Sequence, residues 1–122
     1  MQESLRQFKA GIFRALAHPT RIAIVELLRD SGATPVGTLH EQLSLEQANV
    51  SQHLAVLRSN HIVVARKDGN QVFYSLRDRI IGKVFDLMRQ YFHAHLEESL
   101  ALLKDMRVEE SPKVKRPSAR RA

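Results

Sequence analysis

The sequence predicts a mainly α-helical α+β domain with a single β-hairpin placed before its last helix. Three observations carry this reading. Apolar residues recur at helical spacing in separate runs from residue 4 to residue 59. The period then switches in IVVARKDGNQVFYSL, residues 62–76, a stretch rich in β-branched and aromatic residues. Helical spacing returns at Asp78 and continues to about Met106.

In the first helix, SLRQFKAGIFRAL sets Leu5, Phe8, Ile12, Phe13 and Leu16 at helical spacing. A second helix follows in AHPTRIAIVELLRDSG. Pro19 suits its first turn, where a missing N–H costs nothing, and Gly32 is the stop signal. Ile22, Val25 and Leu28, with Ile24 and Leu27 beside them, form a wide stripe expected to be buried. ATPVGTLHEQLS reads as a short helix anchored by Val36, Leu39 and Leu43. The next helix opens with Ser44 as N-cap and Gln47 closing a capping box. Its Val50, Leu54 and Leu57 point inward, which leaves Gln47, Asn49, Ser51 and Gln52 exposed near the N-terminal end. Asp68-Gly69 is a two-residue hairpin signal.

The last helix carries Ile81, Val84, Met88, Tyr91 or Phe92, His95, Ser99 and Leu102 in a roughly heptad-like stripe. About 29 residues at 1.5 Å each span roughly 43 Å, more than so small a domain can cover. The stripe therefore needs a partner, most simply the same helix of a second subunit.

A chain of 122 residues that is 43% apolar fits one domain with a modest core. It contains no cysteine, which excludes disulfides, thiolate metal sites and thiol redox switches. No apolar run approaches a membrane span, and MQESLRQFKAG has no apolar signal core. The expectation is a cytoplasmic protein. The formal charge is +6, but Lys113, Lys115, Arg116, Arg120 and Arg121 supply +5 of it, leaving +1 for residues 1–110. Bulk charge thus says little about the body. Residues 1–107 read as the domain and 108–122 as a disordered basic tail. Such a run of cations either neutralises the phosphates of a nucleic acid or merely solubilises the chain.

A short helix, a tight connection, a polar-fronted helix and then a hairpin make a winged helix-turn-helix. A helix fits the major groove, where Asn and Gln can pair with adenine and Ser can donate or accept. Gln47, Asn49, Ser51, Gln52 and His53 are the expected DNA contacts of the helix; His53 borders the buried face. Arg66 and Lys67 before the hairpin tip, and Gln71 after it, are the expected contacts of the wing. Arg58, Arg77 and Arg79 either touch phosphates or solvate the surface. His18, ahead of Pro19, suits capping or packing. There is no Gly-rich phosphate loop, nucleophile elbow or two-histidine zinc-protease motif, so nothing supports an enzyme.

ALAHPTRIAIVELL resembles the second-helix signature of the ArsR/SmtB family of bacterial winged-helix repressors. NVSQHLAVLRSNHIV resembles that family's recognition helix and exit, and VARKDGNQVFYSL its wing. The likeness spans roughly residues 8 to 100. It implies a homodimer built through the first and last helices, bound to an inverted-repeat operator on double-stranded DNA and usually repressing. In many members an effector lowers DNA affinity. A winged helix used mainly for protein–protein contact is the alternative. Two departures stand out. The segment VGTLHEQL, where the family's thiolate sensors carry a cysteine motif, has His40 instead. The exit turn, where the family usually has Gly, has Asn60-His61, residue types that tolerate a left-handed backbone.

Relatives without the cysteine site often bind metal on the last helix, through an Asp-x-His near its start and a His-x-x-His or His-x-x-Glu on the partner. Here Asp78-Arg79-Ile80 puts Ile80 at the first histidine, and Tyr91 and Ala94 stand at the second pair. The nearby YFHAHLEE offers His93, His95, Glu97 and Glu98 as candidate ligands. On a helix His93 groups with Glu97 and His95 with Glu98, so the two histidines point apart. A site would need His95 and Glu98 to meet their symmetry mates; such donors suit Zn²⁺, Ni²⁺ or Co²⁺. Otherwise the cluster is a polar patch on the helix.

Overall fold

The computed structural model describes residues 1–110. The elements run α1 (Gln2–Leu16), α2 (Pro19–Ser31), β1 (Thr34–Pro35), α3 (Val36–Leu43), α4 (Gln47–Ser59), β2 (Val63–Asp68), β3 (Gln71–Leu76) and α5 (Arg79–Glu110). The predicted helices and hairpin are all present. β1 is an addition that two residues could not announce. It pairs antiparallel with β3, giving a three-stranded sheet of order β1-β3-β2. Pro35, which has no N–H to donate, sits on the edge strand, where a missing donor is tolerated.

One compact unit runs from Met1 to Phe85 and holds the core. Ala15, Ile24, Val25, Leu28, Leu39, Val50, Leu54, Leu57, Ile62 and Val63 are buried, so α1, α2, α3, α4 and β2 all contribute. Ile81 and Phe85, from the first turns of α5, pack against them. Full burial of a residue such as Leu54 is worth about 1.5–3 kcal/mol. The α2 stripe is narrower than its sequence suggested. Ile24, Val25 and Leu28 form it, whereas Ile22 is 37% exposed.

Local chemistry sets the helix ends. The His18 Nδ1 accepts from the Thr20 N–H at 3.0 Å, capping α2 just before Pro19. Gly32 ends α2 with φ 75° and ψ −153°, a backbone that a Cβ would strain. The capping box expected at Ser44 and Gln47 does not form. Ser44 instead adopts φ 57° and ends α3, with its N–H bonded to Glu41 O and the Leu45 N–H bonded to His40 O. That is the Schellman pattern, which takes the residue out of any capping role for the next helix. Gln47 is the first residue of α4, and Glu46 precedes it without a side-chain cap.

The exit from α4 repeats the pattern. His61 has φ 62°, its N–H bonds to Arg58 O at 3.0 Å, and the Ile62 N–H bonds to Leu57 O at 2.9 Å. The left-handed position in the turn therefore falls on His61, while Asn60 donates its side-chain amide to Val56 O. In the hairpin, Asp68 pairs with Gln71, so the two turn residues are Gly69-Asn70 and not Asp68-Gly69. Gly69 has φ 65° and Asn70 has no positive φ, the signature of a II′ turn with Gly first.

A second unit begins at Asp86. Within it α5 continues through Val108 to Glu110, past the residue 107 boundary expected for the domain. The tail from Ser111 lies outside the described residues. Leu87, Met88, Tyr91, Phe92, Leu96, Leu100, Leu102, Leu103 and Met106 are exposed. In the first unit α1 likewise exposes Leu5, Phe8 and Phe13.

Candidate nucleic-acid interface

The turn between α3 and α4 is three residues long, Ser44 to Glu46. Val50, Leu54 and Leu57 anchor α4 by one face, and this fixes what the other face presents. At about 100° per residue, Ala48, Gln52, Ala55 and Ser59 fall within about 60° of one another at the centre of the outward arc. All four are exposed. Asn49 flanks this arc on the side of His53; Gln47, Ser51 and Arg58 flank it on the other. Ala48, Ala55 and Ser59 were not among the residues expected from sequence, because small side chains carry no charge or amide. The signal was nonetheless present: they stand four before, three after and seven after Gln52. Small residues let a helix approach base edges closely, and an alanine methyl can contact a thymine methyl. The first-turn amides of α4 have no side-chain cap, which leaves donors suited to a phosphate.

Of the expected helix contacts, Gln47, Asn49 and Gln52 are exposed and Ser51 is partly so. His53 is turned inward. Its ring lies 4.4 Å from that of His18, centroid to centroid, beside the N-terminal turn of α2. Burial, then the neighbouring His18 and Arg21, hold the His53 imidazole below its ordinary value. The Arg21 Nε is buried there without an acceptor among the described residues.

The wing residues divide between two faces. Side chains alternate along a strand and paired residues share a face. Lys67, paired with Val72, stands on the face of Ala65 and Tyr74, which turns toward the helices. Arg66 and Gln71 stand on the opposite face, where the Arg66 guanidinium lies 5.8 Å from the centre of the paired Phe73 ring. Between α4 and β3 an open groove of about 410 Å³ is lined by Ser51, Leu54, Ala55, Arg58, Ser59 and Tyr74.

The candidate metal ligands do not converge within one chain. His93 Nε2 meets Glu97 Oε2 at 3.1 Å on the exposed surface. His95 stacks on Tyr91, with ring centroids 6.3 Å apart and planes 4° from parallel. Among the described residues no three of His, Asp or Glu come together in a way that could hold a metal ion. No described helix is long and apolar enough to cross a membrane.

Comparison with known proteins bears on this geometry. A family model described as a helix-turn-helix domain matches residues 16–64. Rv0081 of Mycobacterium tuberculosis, an uncharacterized HTH-type transcriptional regulator, is 38% identical over 105 residues, which cover 86% of this chain and 92% of that protein. Its crystal structure matches with a TM-score of 0.73 over 79% of this chain and 96% of that one. The homodimeric winged helix-turn-helix DNA-binding domain of Mb0332 from Mycobacterium bovis, a possible ArsR-family regulator, is 26% identical. Its TM-score is 0.74, over 80% of this chain and 89% of that one. The cadmium sensor CmtR of Mycobacterium tuberculosis is 46% identical over 74 residues, covering 61% of this chain and 62% of CmtR.

Proposed function

The chain belongs to the ArsR/SmtB family of winged helix-turn-helix transcriptional regulators, and from that premise we propose that it represses transcription as a homodimer on an inverted-repeat operator. It is a DNA-binding regulator, as its relatives are; repression, operator symmetry and the residue assignments are the proposal. One observation carries it: the outward face of α4 is polar or small from Ala48 to Ser59 and is anchored rigidly from behind by Val50, Leu54 and Leu57. Gln52 at the centre and Asn49 at the edge read bases, Gln47 and Ser51 contact the groove wall, and Lys67 and Arg66 of the wing hold the backbone. The bareness of α1 and α5 supports the dimer, since both expose large apolar side chains. Two symmetry-related α4 helices then enter major grooves about one helical turn apart, about 34–36 Å.

The test is a gel shift and footprint on the region upstream of the chain's own gene. A protected inverted repeat is expected. Asn49→Ala with Gln52→Ala should cost on the order of 1–3 kcal/mol for each base pairing removed and relax sequence preference. Retained preference in the double variant would sink the contact assignment.

A second reading makes a divalent transition metal such as Ni²⁺ or Zn²⁺ the effector. The exposure of His95 and Glu98 on one face of α5 favours it, because meeting their symmetry mates would bring two imidazoles and two carboxylates together. One chain supplies His95 and Glu98, half of a four-coordinate site, so the other two donors come from a second subunit. Cadmium sensing of the kind CmtR performs is not carried over, since the chain has no thiolate to offer a soft metal. Adding Ni²⁺ or Zn²⁺ to metal-free protein should then change DNA affinity, and the double variant His93→Ala with His95→Ala should abolish the change. Affinity that is the same with and without metal removes this reading.

A further inference from the structure

We infer that the groove between α4 and β3 is a built seat for the DNA backbone, with Arg58, Tyr74 and Ser51 gripping phosphodiester oxygens. The inference rests on the DNA-binding reading above and adds to it a backbone site on the flank of the outward face of α4 that carries Ser51 and Arg58, continuous with the base-reading surface.

The groove follows from the periodicity of α4. Ser51, Leu54, Ala55, Arg58 and Ser59 are spaced i, i+3, i+4, i+7 and i+8, one continuous strip of the helix. Leu54 is fully buried and makes a rigid floor. Ala55 keeps the passage open in the middle. Tyr74 faces the strip from the central strand, held on both sides by Thr34 of β1 and Ala65 of β2.

The chemistry of the lining selects an anion. Among the described residues, Arg58 makes no ion pair, and the hydroxyls of Ser51 and Tyr74 make no hydrogen bond. Ser59 alone uses its hydroxyl internally, donating to Val56 O at 3.0 Å. A guanidinium and two unbonded hydroxyls are donors, and no carboxylate lines the groove. Lys67 continues the same face of the hairpin toward the tip, so positive charge stands beyond Tyr74 as well. The groove, about 410 Å³ and more open than enclosed, is larger than a single trapped ion needs and has room for a stretch of backbone.

The test uses the full chain and fluorescence anisotropy on two duplexes, the operator and a scrambled one, over a salt series. Arg58→Gln should weaken both by the same factor. It should also lower the slope of log K against log salt by about 0.9 for each phosphate that the variant no longer neutralises. Tyr74→Phe, which keeps the ring and its packing, should weaken both duplexes equally by a smaller factor. Duplexes with single neutral methylphosphonates complete the test: the position that hurts the unaltered protein most should cease to matter in Arg58→Gln. An unchanged salt slope, a weakening confined to the operator, or an undiminished methylphosphonate effect in Arg58→Gln each overturns the inference. Failure of the unaltered protein to bind either duplex would instead overturn the DNA-binding reading.

Discussion

Replacing His61 with glycine should stabilise the chain. His61 holds φ 62° in the turn that ends α4, and its side chain makes no hydrogen bond or ion pair among the described residues. Its backbone N–H, bonded to Arg58 O, is kept by any residue but proline. Removing the side chain therefore changes little else in the folded state. A left-handed backbone costs an L-residue about 1–2 kcal/mol. Glycine escapes that cost but gives the unfolded chain extra freedom worth about 0.5–1 kcal/mol. The net gain is about 0.5–1 kcal/mol. With a urea m-value of about 2 kcal/mol per M, the midpoint rises by about 0.3–0.5 M at constant m. The measurement is urea denaturation followed by circular dichroism at fixed protomer concentration, since a dimer's stability depends on it. DNA affinity should not change, because His61 lies past the outward face of α4. A lower midpoint for His61→Gly would refute the reasoning. So would an equal gain from His61→Ala, which would put the cost in the imidazole and not in φ.

Three further outcomes are expected. The folded chain holds the His53 imidazole below the ordinary 6.5, so its stabilising contribution is complete above about pH 6.5 and is lost as pH falls through the folded value. The urea midpoint should therefore drop between pH 7.5 and pH 5.5, and drop less in His53→Gln; an equal drop would discard the burial of His53 beside His18 and Arg21 as the cause. Phe13 is 69% exposed, so Phe13→Glu should leave the single chain folded yet shift sedimentation from dimer toward monomer, and an undisturbed dimer would remove α1 from the interface. Leu54→Ala should cost about 2–5 kcal/mol by opening a cavity under α4, read as a lower urea midpoint; a change below about 1 kcal/mol would mean that α4 is not anchored as described.

Much of this was legible in the sequence because burial repeats. Val50, Leu54 and Leu57 at helical spacing, and the switch to β-branched residues after Ile62, announce α4 and the wing without a structure. The ends of elements were less legible. Ser44 could equally cap α4 or close α3, and the choice depended on where the chain had to turn so that Leu39 and Val50 could share one core. Asp68-Gly69 and Gly69-Asn70 are both good hairpin pairs, and only the register of Val63 against Leu76 decides between them. For the site, polar residues drew attention by their chemistry; Ala48 and Ala55 were marked only by their spacing from Gln52, and Tyr74 became visible only with β3 set against α4. His53 was ambiguous for the same reason; the nearness of His18 is a tertiary fact.

The most direct test of the central claim is the affinity of the full chain for its upstream inverted repeat against a scrambled duplex of equal length, both at physiological salt. If the outward face of α4 reads bases, the repeat should bind at least about 10³-fold more tightly, and Gln52→Ala should shrink that ratio without altering the scrambled affinity. Equal affinities for the two duplexes would contradict the account.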